Sequence, residues 1–309
     1  MSGRHEPVLL AEALRFLRNG PGLYLDATLG DAGHAEALLE SEPNSRLLGC
    51  DRDAEALAGA RIHLARFGER VMLAHTSFRE LPDVHRRLGG EPLTGALFDL
   101  GLSSRQIDQP QRGMSFMHDG PLDLRMDRTR GPSAAEWLAG AAEGDIERAL
   151  REHGDVRGAA SLARRLADRA RRGELRTTGD LVRALTGPRG GRPHPRFLAQ
   201  VFQALRVEIN GEDVELETVL AWLPRAMRPG GVVVTLAYHS GEDRRIKRAL
   251  RETRGGGSPR RLPAPIDAPR PPEGAWEALT RRVVTSTPEE RKRNPRSRSV
   301  RLRAFRRKP

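Results

Sequence analysis

The chain has 309 residues, of which 38% are hydrophobic and 30% charged, which suits one large domain or a domain carrying a second, smaller one. Its single cysteine, Cys50, excludes an intramolecular disulfide and favours a reducing cytoplasm, and no apolar run reaches the ~20 residues of a membrane helix, so we expect no membrane partner. The net charge of +12 comes almost wholly from arginine and selects no class of partner by itself.

Short apolar runs recur about every 24 residues in the first third of the chain. They predict four strands, at Leu23–Ala27, Arg46–Cys50, Val71–His75 and Leu93–Leu100. Helical patterns at His34–Glu40 and Asp53–Phe67 stand between them. Near-continuous apolar strands that alternate with helices indicate an α/β fold with a mostly parallel sheet covered on both faces.

The strand rhythm then breaks, because the next strong strand, Gly231–Tyr238, begins about 130 residues after the fourth. Helical patterns occupy the interval, at Ala134–Ala142, Asp145–His153, Ala159–Arg172 and Thr178–Leu185. We therefore predict an all-helical inserted domain over residues 106–198, between two parts of a core domain at 1–105 and 199–309. The segment 151–206 holds 13 Arg against five acids, so we expect the insert to bind a polyanion, most simply nucleic acid. A solvated arginine-rich surface is the alternative.

The last part of the chain completes the sheet. Helices are predicted at Pro195–Ile209 and Val214–Met227, and Ser240 is expected to cap the next helix in a capping box with Asp243. Residues 258–274 contain six prolines and predict an irregular connection. Strands at Trp276–Val284 and Ser299–Phe305 bring the sheet to about seven, and residues 291–309 add ten basic residues without an acid.

The segment from Asp26 to His34 combines a strand, a turn of small residues and a helix start, the arrangement that binds a nucleotide-like ligand. It lacks the Gly-x-Gly-x-x-Gly pattern that holds a pyrophosphate, so a ligand without phosphates fits better. S-adenosylmethionine is one such ligand, because Asp26 suits its ammonium group and helix-start N–H groups suit its carboxylate. Asp51, at the end of the second strand, is placed to accept both ribose hydroxyls, although a solvated strand-end acid is the alternative.

Two further strand ends point to the same edge of the sheet. Phe78 follows the third strand and is placed to flank an adenine, with core packing as the alternative. Asp99 ends the fourth strand, and a cluster of short polar side chains that includes Ser103 and Ser104 follows it. We expect a methyl acceptor to lie there.

The ordered motifs of the chain resemble those of the bacterial RsmH/MraW family over nearly the whole length. They are His5-Glu6-Pro7-Val8-Leu9-Leu10, Asp26-Ala27-Thr28-Leu29-Gly30, Gly33-His34, Asp51-Arg52-Asp53, Asp99-Leu100-Gly101, Ser103-Ser104, Arg112-Gly113-Met114-Ser115-Phe116, Gly120-Pro121-Leu122-Asp123-Leu124-Arg125-Met126-Asp127, Phe202-Gln203-Ala204-Leu205-Arg206, Ile209-Asn210, His239-Ser240, Glu242-Asp243-Arg244 and Asn294-Pro295-Arg296-Ser297-Arg298-Ser299. The resemblance implies a class I (Rossmann-like) methyltransferase fold and S-adenosyl-L-methionine as methyl donor. It also implies methylation of the exocyclic N4 of a decoding-site cytidine, cytosine 1402, in the 16S rRNA of the small ribosomal subunit.

The resemblance also implies site residues. Donor contacts carry over to Ala32, Gly33, His34, Asp51, Phe78, Asp99 and Gln106. Candidates for aligning the cytosine amine are Ser103, Ser104, Asn210 and His239, with helix capping and turn formation as structural alternatives. The chain departs from the family where Ala32 replaces the usual glycine, and where Arg105 and Gly241 replace the usual proline and leucine. If Ala32 must adopt a positive φ, the cost is about 1 kcal/mol, and its methyl group could crowd the donor; a cost of this size is tolerable for binding.

Other functions stay open from the residues alone. A nicotinamide- or nucleotide-dependent enzyme would need the phosphate-cradling glycine loop that is missing here, and a non-catalytic ribosome-assembly factor would not bind the donor. Asp99-Leu100-Gly101-Leu102 stands where amino-methylating DNA enzymes often carry an Asp-Pro-Pro-Tyr-like box, so RNA is favoured over DNA. The sequence predicts no catalytic metal and leaves a homodimer possible.

Overall fold

The computed structural model describes residues 6–186, 190–191, 193–250 and 274–309. The chain divides into two compact units, the first made of Met1–Gly101 with Val214–Pro309 and the second of Leu102–Asp213. His5 and the proline-rich residues 258–273 lie outside the described residues. Among the helices in the described ranges, none is long and apolar enough to cross a membrane.

The first unit is built on a seven-stranded sheet of order β3-β2-β1-β4-β5-β7-β6. Its strands are β1 Leu23–Asp26, β2 Arg46–Asp51, β3 Val71–His75, β4 Leu93–Asp99, β5 Met227–Ala237, β6 Trp276–Ala278 and β7 Arg301–Arg307. The first five are parallel, and β7 runs antiparallel to both β5 and β6. Because the strand order reverses beside β1, the carboxyl ends of β1, β2 and β4 border one crevice, which is where open α/β sheets bind ligands.

Two strand ends differ from the predictions by more than two residues. The fifth strand begins at Met227, because the Pro229–Gly231 turn is absorbed as a register shift against β4 and does not precede the strand. The sixth strand stops at Ala278, six residues early, since the hydroxyl of Thr280 accepts the N–H of Ala304 where a strand carbonyl would otherwise pair. Only one isolated bridge, from Val284 to Leu302, continues this pairing.

Helices cover both faces of the sheet in the first unit. They are α1 Leu10–Leu17, α2 Gly33–Ser41, α3 Ala54–Leu64, α4 Leu81–Arg87, α11 Glu212–Ala226, α12 Ser240–Leu250 and α13 Pro288–Arg293. Short 3₁₀ turns follow α3 at Ala65–Arg70 and α13 at Pro295–Ser299. Two apolar clusters, one on each face of the strands, form the core.

The second unit is all-helical in its described part. Its helices are α5 Ser104–Asp108, α6 Ala134–Gly140, α7 Glu143–Glu152, α8 Ala159–Arg171, α9 Thr178–Leu185 and α10 Pro195–Asn210, with a 3₁₀ turn at Pro110–Arg112. Helix α8 buries Leu162, Leu166 and Ala170, which lie on one face of the helix because they are four residues apart.

The helical unit is larger than the predicted insert at residues 106–198, and α10 belongs to it instead of to the core domain. The reason is packing, because Leu198, Phe202 and Leu205 of α10 join the same apolar cluster as Leu150 of α7 and Leu166 of α8. The larger boundaries also change its charge. Residues 102–213 contain 19 Arg and 16 acids, a net charge of only +3, so the arginine excess of its middle segment is mostly balanced within the unit.

Candidate functional site

Three carboxylates stand at neighbouring strand ends in the first unit. Asp26, Asp51 and Asp99 are the last residues of β1, β2 and β4. The loop after β1 ties them together, since the N–H of Gly30 donates to Oδ2 of Asp51 at 2.8 Å and the N–H of Asp99 donates to Oγ1 of Thr28 at 2.7 Å. The structure therefore brings together the acids that were predicted to share one edge.

Burial gives these acids unusual electrostatics. It raises the pKa of Asp26 to about 7, and the nearby charges of Asp99 and Asp51 add to the rise. Burial also raises the pKa of Asp51 to about 6, although backbone N–H groups of Asp53 and Gly30 partly offset the effect. The pKa of Asp99 is raised too, again through burial. A cationic ligand at this edge would relieve the mutual repulsion of the carboxylates, whereas an anion would add to it.

Asp51 keeps capacity for a ligand. Its Oδ2 accepts from Gly30 and its Oδ1 accepts from the N–H of Asp53 at 2.9 Å. A carboxylate offers about four lone-pair sites, so two remain for further donors such as a pair of hydroxyls. Phe78 is half-buried beside this edge and makes a T-shaped contact with Phe98, with ring centroids 5.6 Å apart. Both the ligand-flanking and the core-packing interpretation of Phe78 are therefore compatible with its position.

The N-terminal segment packs onto the start of α2. A Cβ atom at Gly33 would lie 2.3 Å from Cγ of Pro7, so only glycine fits there without a shift. His34 is buried, its Nε2 lies 3.0 Å from the carbonyl oxygen of Val8, and burial lowers its pKa. A neutral imidazole therefore donates Nε2–H to that carbonyl. The N-terminal motif thus has a definite role, which is to brace the loop between β1 and α2.

Ala32 has the strained backbone that the sequence suggested, but not the predicted contact. Its φ of 63° and ψ of 19° lie in the left-handed region. It has 0% exposure and belongs to the apolar cluster on one face of the sheet, so its methyl group points into the core. The methyl group therefore does not crowd the donor from this position, and a donor contact from the backbone of Ala32 stays a prediction. The residue supports the loop from beneath.

A second group of residues surrounds the end of β5. The side chain of Tyr238 hydrogen-bonds Asp99, and its ring leaves no space for a Cβ at Gly101, which would stand 2.7 Å away. His239 is half-buried, with Nε2 3.0 Å from Oε1 of Glu242. That carboxylate also accepts the N–H of Tyr238 at 2.7 Å. The imidazole of His239 therefore lies against a buried acid, although its Nε2 makes no hydrogen bond in the described part of the chain.

The predicted capping box of Ser240 with Asp243 is wrong. Glu242 accepts the backbone N–H groups that precede α12, those of Tyr238 and His239. Asp243 instead forms a two-contact ion pair with Arg303 of β7, with 2.5 Å between Nε and Oδ1. Both acids lie in the first turn of the helix, and the ion pair with Arg303 holds the side chain of Asp243 against β7.

The other predicted residues belong to the second unit. Ser103 and Gln106 form a capping box at the start of α5, in which the hydroxyl of Ser103 accepts the N–H of Gln106. Ser104 is the first residue of that helix, and its side chain lies outside the described part. Asn210 is buried, its Oδ1 accepts the N–H of Met126 and its Nδ2 donates to the carbonyl of Leu124, both at 2.8 Å. Asn210 therefore joins two segments of its own unit, and its alignment of a substrate amine stays a prediction.

Sequence reasoning missed several residues that shape the edge. Thr28, Tyr238 and Glu242 each contact a predicted site residue, and Pro7 braces Gly33. All but Tyr238 lie within the quoted motifs. Their presence in a motif, with no role assigned to them, was the signal in the sequence that pointed to them. Within the described ranges, no group of three or more His, Cys, Asp or Glu residues is placed to hold a metal ion.

Comparison with known proteins identifies the family. The chain matches the MraW methylase family over residues 2–308. It is 42% identical to the ribosomal RNA small subunit methyltransferase H of Sorangium cellulosum, over 98% of this chain and 91% of that protein. It is 40% identical to the protein of the same name from Symbiobacterium thermophilum, over 98% of this chain and 96% of that protein. A solved rRNA methylase structure from Streptococcus thermophilus is similar with a TM-score of 0.39 and 12% identity, over 97% of this chain and 94% of that one. The seven-stranded sheet with its antiparallel β7 is the class I, Rossmann-like methyltransferase fold that was predicted. The chain therefore belongs to the MraW methylase family.

Proposed function

We propose that the chain transfers a methyl group from S-adenosyl-L-methionine to the exocyclic N4 of a cytidine in 16S rRNA, at cytosine 1402 of the decoding site. The observation that carries the donor assignment is the row of three desolvated carboxylates at the ends of β1, β2 and β4. Relatives at 40–42% identity are named as ribosomal RNA small subunit methyltransferases, which supports the choice of RNA. The N4 position and the identity of the nucleotide rest on the motif resemblance.

The residues of the first unit fit this donor. Asp26 suits the ammonium group, and the free lone pairs of Asp51 suit the two ribose hydroxyls. The N–H of Gly33 at the start of α2 suits the donor carboxylate, and Phe78 offers a ring edge to the adenine. The bound donor supplies an electrophilic sulfonium methyl group. Its positive charge matches an edge where carboxylates repel one another and where Asp99 is held by Tyr238.

The protein's contribution to transfer is chiefly alignment. The N4 amine of cytosine is a weak nucleophile because its lone pair is delocalised into the ring, so holding it in line with the methyl group supplies most of the acceleration. His239 is our candidate acceptor for an N4 proton in the first unit. In the tautomer that carries its proton on Nε2, Nδ1 has the free lone pair, and a Cβ at Gly241 would lie only 3.1 Å from that atom. An acceptor at Nδ1 helps to localise the amine lone pair, and the extra proton leaves after transfer.

We also propose Gln106 as a donor contact and Ser103 and Ser104 as contacts of the substrate amine. Gln106, Ser103 and Ser104 lie in the second unit, where the first two already cap a helix. A capping serine hydroxyl still has its own proton to donate, so the cap does not exclude a second role.

Two measurements test the proposal in order. Calorimetric titration with S-adenosyl-L-methionine tests donor binding, and absence of binding would favour the non-catalytic assembly factor. Incubation of unmodified small subunits and of naked 16S rRNA with labelled donor then tests transfer. Digestion and chromatography against N4-methylcytidine and C5-methylcytidine standards identify the atom. Label at another nucleotide, or on C5, would refute the assignment.

A further inference from the structure

A basic groove on the first unit is lined by none of the three carboxylates at the ends of β1, β2 and β4. It has a volume of about 440 Å³ and runs between α12 and the start of β7. The residues that line it are Ser240, Asp243, Arg244, Lys247, Arg248 and Arg301. Four of these six carry positive charge and one carries negative charge, so the groove favours an anion.

The charges of the groove are not cancelled by its own acid. Asp243 is neutralised by Arg303, and Arg248 pairs with Glu217 at 3.3 Å. In the described ranges no acid pairs with Arg244, Lys247 or Arg301. Three cations therefore remain available to a ligand.

The groove has a regular geometry that suits an extended polyanion. Ser240, Arg244 and Lys247 follow one another at intervals of four and three residues, so they form a stripe on one face of α12. Arg301 faces this stripe from β7, where it pairs with Ala237, the last residue of β5. A row of fixed cations along a groove matches successive phosphates better than a single small anion.

The position of the groove relates it to the candidate site. Ser240 follows His239 directly, and Tyr238, one residue earlier, hydrogen-bonds Asp99. The groove therefore begins at the carboxyl end of β5, beside the edge where a methyl acceptor is expected. The distribution of charge also favours a polyanion site on the first unit, because residues 102–213 account for only +3 of the net charge of +12.

We propose that the groove between α12 and β7 binds the phosphate backbone of single-stranded RNA next to the nucleotide that is methylated, with Arg244, Lys247 and Arg301 as the phosphate contacts. This inference rests on the proposed function for its choice of RNA. Backbone contacts of this kind position the strand without reading its sequence.

The test compares the full-length chain with two charge-matched double variants. Arg244→Gln/Arg301→Gln removes two groove cations, and Arg61→Gln/Arg87→Gln removes two exposed arginines from α3 and α4 as the control. Binding of fluorescein-labelled oligouridylate is measured by anisotropy from 50 to 300 mM salt. Each lost phosphate contact lowers the slope of log Kd against log salt by about 0.7 for a single strand. We expect the groove variant to lose about 1.4 from the slope and about 25-fold in affinity at 0.1 M salt, and the control to match the wild type.

The outcomes separate this inference from the proposed function. An unchanged slope in the groove variant, an equal loss in the control, or a wild type without salt-dependent RNA binding would overturn the groove. Donor titration is run on each protein, and we expect it to stay unchanged in both variants. A wild type that binds RNA through the groove but transfers no methyl group leaves the groove standing and refutes the function. Methyl transfer by the wild type, together with an unchanged salt slope in the groove variant, supports the function and refutes the groove.

Discussion

The contact between Pro7 and Gly33 gives the sharpest test of how the donor loop is held. In Gly33→Ala, the new Cβ would stand 2.3 Å from Cγ of Pro7, whereas an ordinary contact begins near 3.4 Å. Either the N-terminal segment or the start of α2 must therefore move by about 1 Å, and overpacking of this kind costs about 1–3 kcal/mol. Alanine regains up to about 1 kcal/mol as the better helix former, so we expect net destabilisation of about 1–2 kcal/mol.

A double variant tests whether Pro7 is the cause. Pro7→Ala removes the Cγ and Cδ atoms and leaves only Cβ, 3.5 Å from the new methyl group. The free energies of unfolding from urea titrations of both single variants and the double variant then give a coupling energy, which we expect to be favourable by about 1–2 kcal/mol. Gly144→Ala is the matched control, because Gly144 also lies in the first turn of a helix and a Cβ there meets nothing within 4 Å.

Donor affinity is the second measurement on the same proteins. If the loop after β1 holds the donor, a displacement of α2 weakens binding in Gly33→Ala by at least tenfold, and Pro7→Ala/Gly33→Ala restores most of it. A double variant that stays as unstable and as weak in donor binding as Gly33→Ala would show that the steric contact does not govern the loop. Loss of stability without loss of donor affinity would place the loop outside the donor site.

The electrostatics of individual groups lead to four more predictions. Asp51→Asn is expected to weaken donor binding about 10- to 100-fold, because hydrogen bonds to a charged acceptor are lost. Glu69→Gln on the exposed surface serves as the control. Equal donor affinities of the two variants in calorimetric titration would show that Asp51 does not contact the donor. Because burial raises the pKa of Asp26 to about 7 and of Asp51 to about 6, a cationic donor should release protons on binding near pH 6 and bind more tightly toward pH 8, which calorimetry in buffers of different ionisation enthalpy measures. Without donor, the folded chain binds more protons than the unfolded chain between about pH 4 and 7, so these two carboxyls make the free energy of unfolding fall as pH rises through that window. His153 behaves in the opposite way, since hydrogen bonds to Asp213 and Glu208 raise its pKa from 6.5 to about 9 despite burial. Its stabilisation, about 3 kcal/mol at most, is full below pH 6.5 and lost as pH rises through about 9, so His153→Gln should be destabilising at pH 6 and nearly neutral at pH 10 in urea titrations.

The sequence predicted the parts of the fold that depend on local pattern. The first four strands are runs of apolar residues covered by helices on both faces, and they lie within a residue of their predicted bounds. The end of β6 was not predictable, because it depends on the hydroxyl of Thr280 reaching a residue 24 positions away. The boundary of the helical unit failed for a similar reason, since an amphipathic helix such as α10 packs equally well on a sheet or on other helices. Which of the two it packs on depends on the surface that its apolar face meets, and here Leu198 and Phe202 pack against the other helices of the insert.

The candidate site shows the same division between local and distant causes. The positions of Asp51 and Asp99 at strand ends were predicted, whereas the burial of Asn210 and Ala32 was not. An asparagine at the end of a helix and an alanine in a glycine-type turn look the same in the sequence whether they face a ligand or the core. Burial alone distinguishes them, and burial is a property of the whole packed unit.

The N-terminal and C-terminal motifs of the chain contact each other in the first unit. The N–H of Leu9 donates to Oε1 of Glu290 in α13 at 2.8 Å, and Nδ2 of Asn294 donates to the carbonyl of Glu6 at 3.1 Å. The segment held in this way is the one whose Pro7 rests on Gly33. A residue near position 290 is therefore only two contacts away from the loop that follows β1, although more than 250 residues separate them in sequence. Motifs at both ends act on one structural element, because a loop with a strained Ala32 at its centre stays in place only when its surroundings determine its conformation.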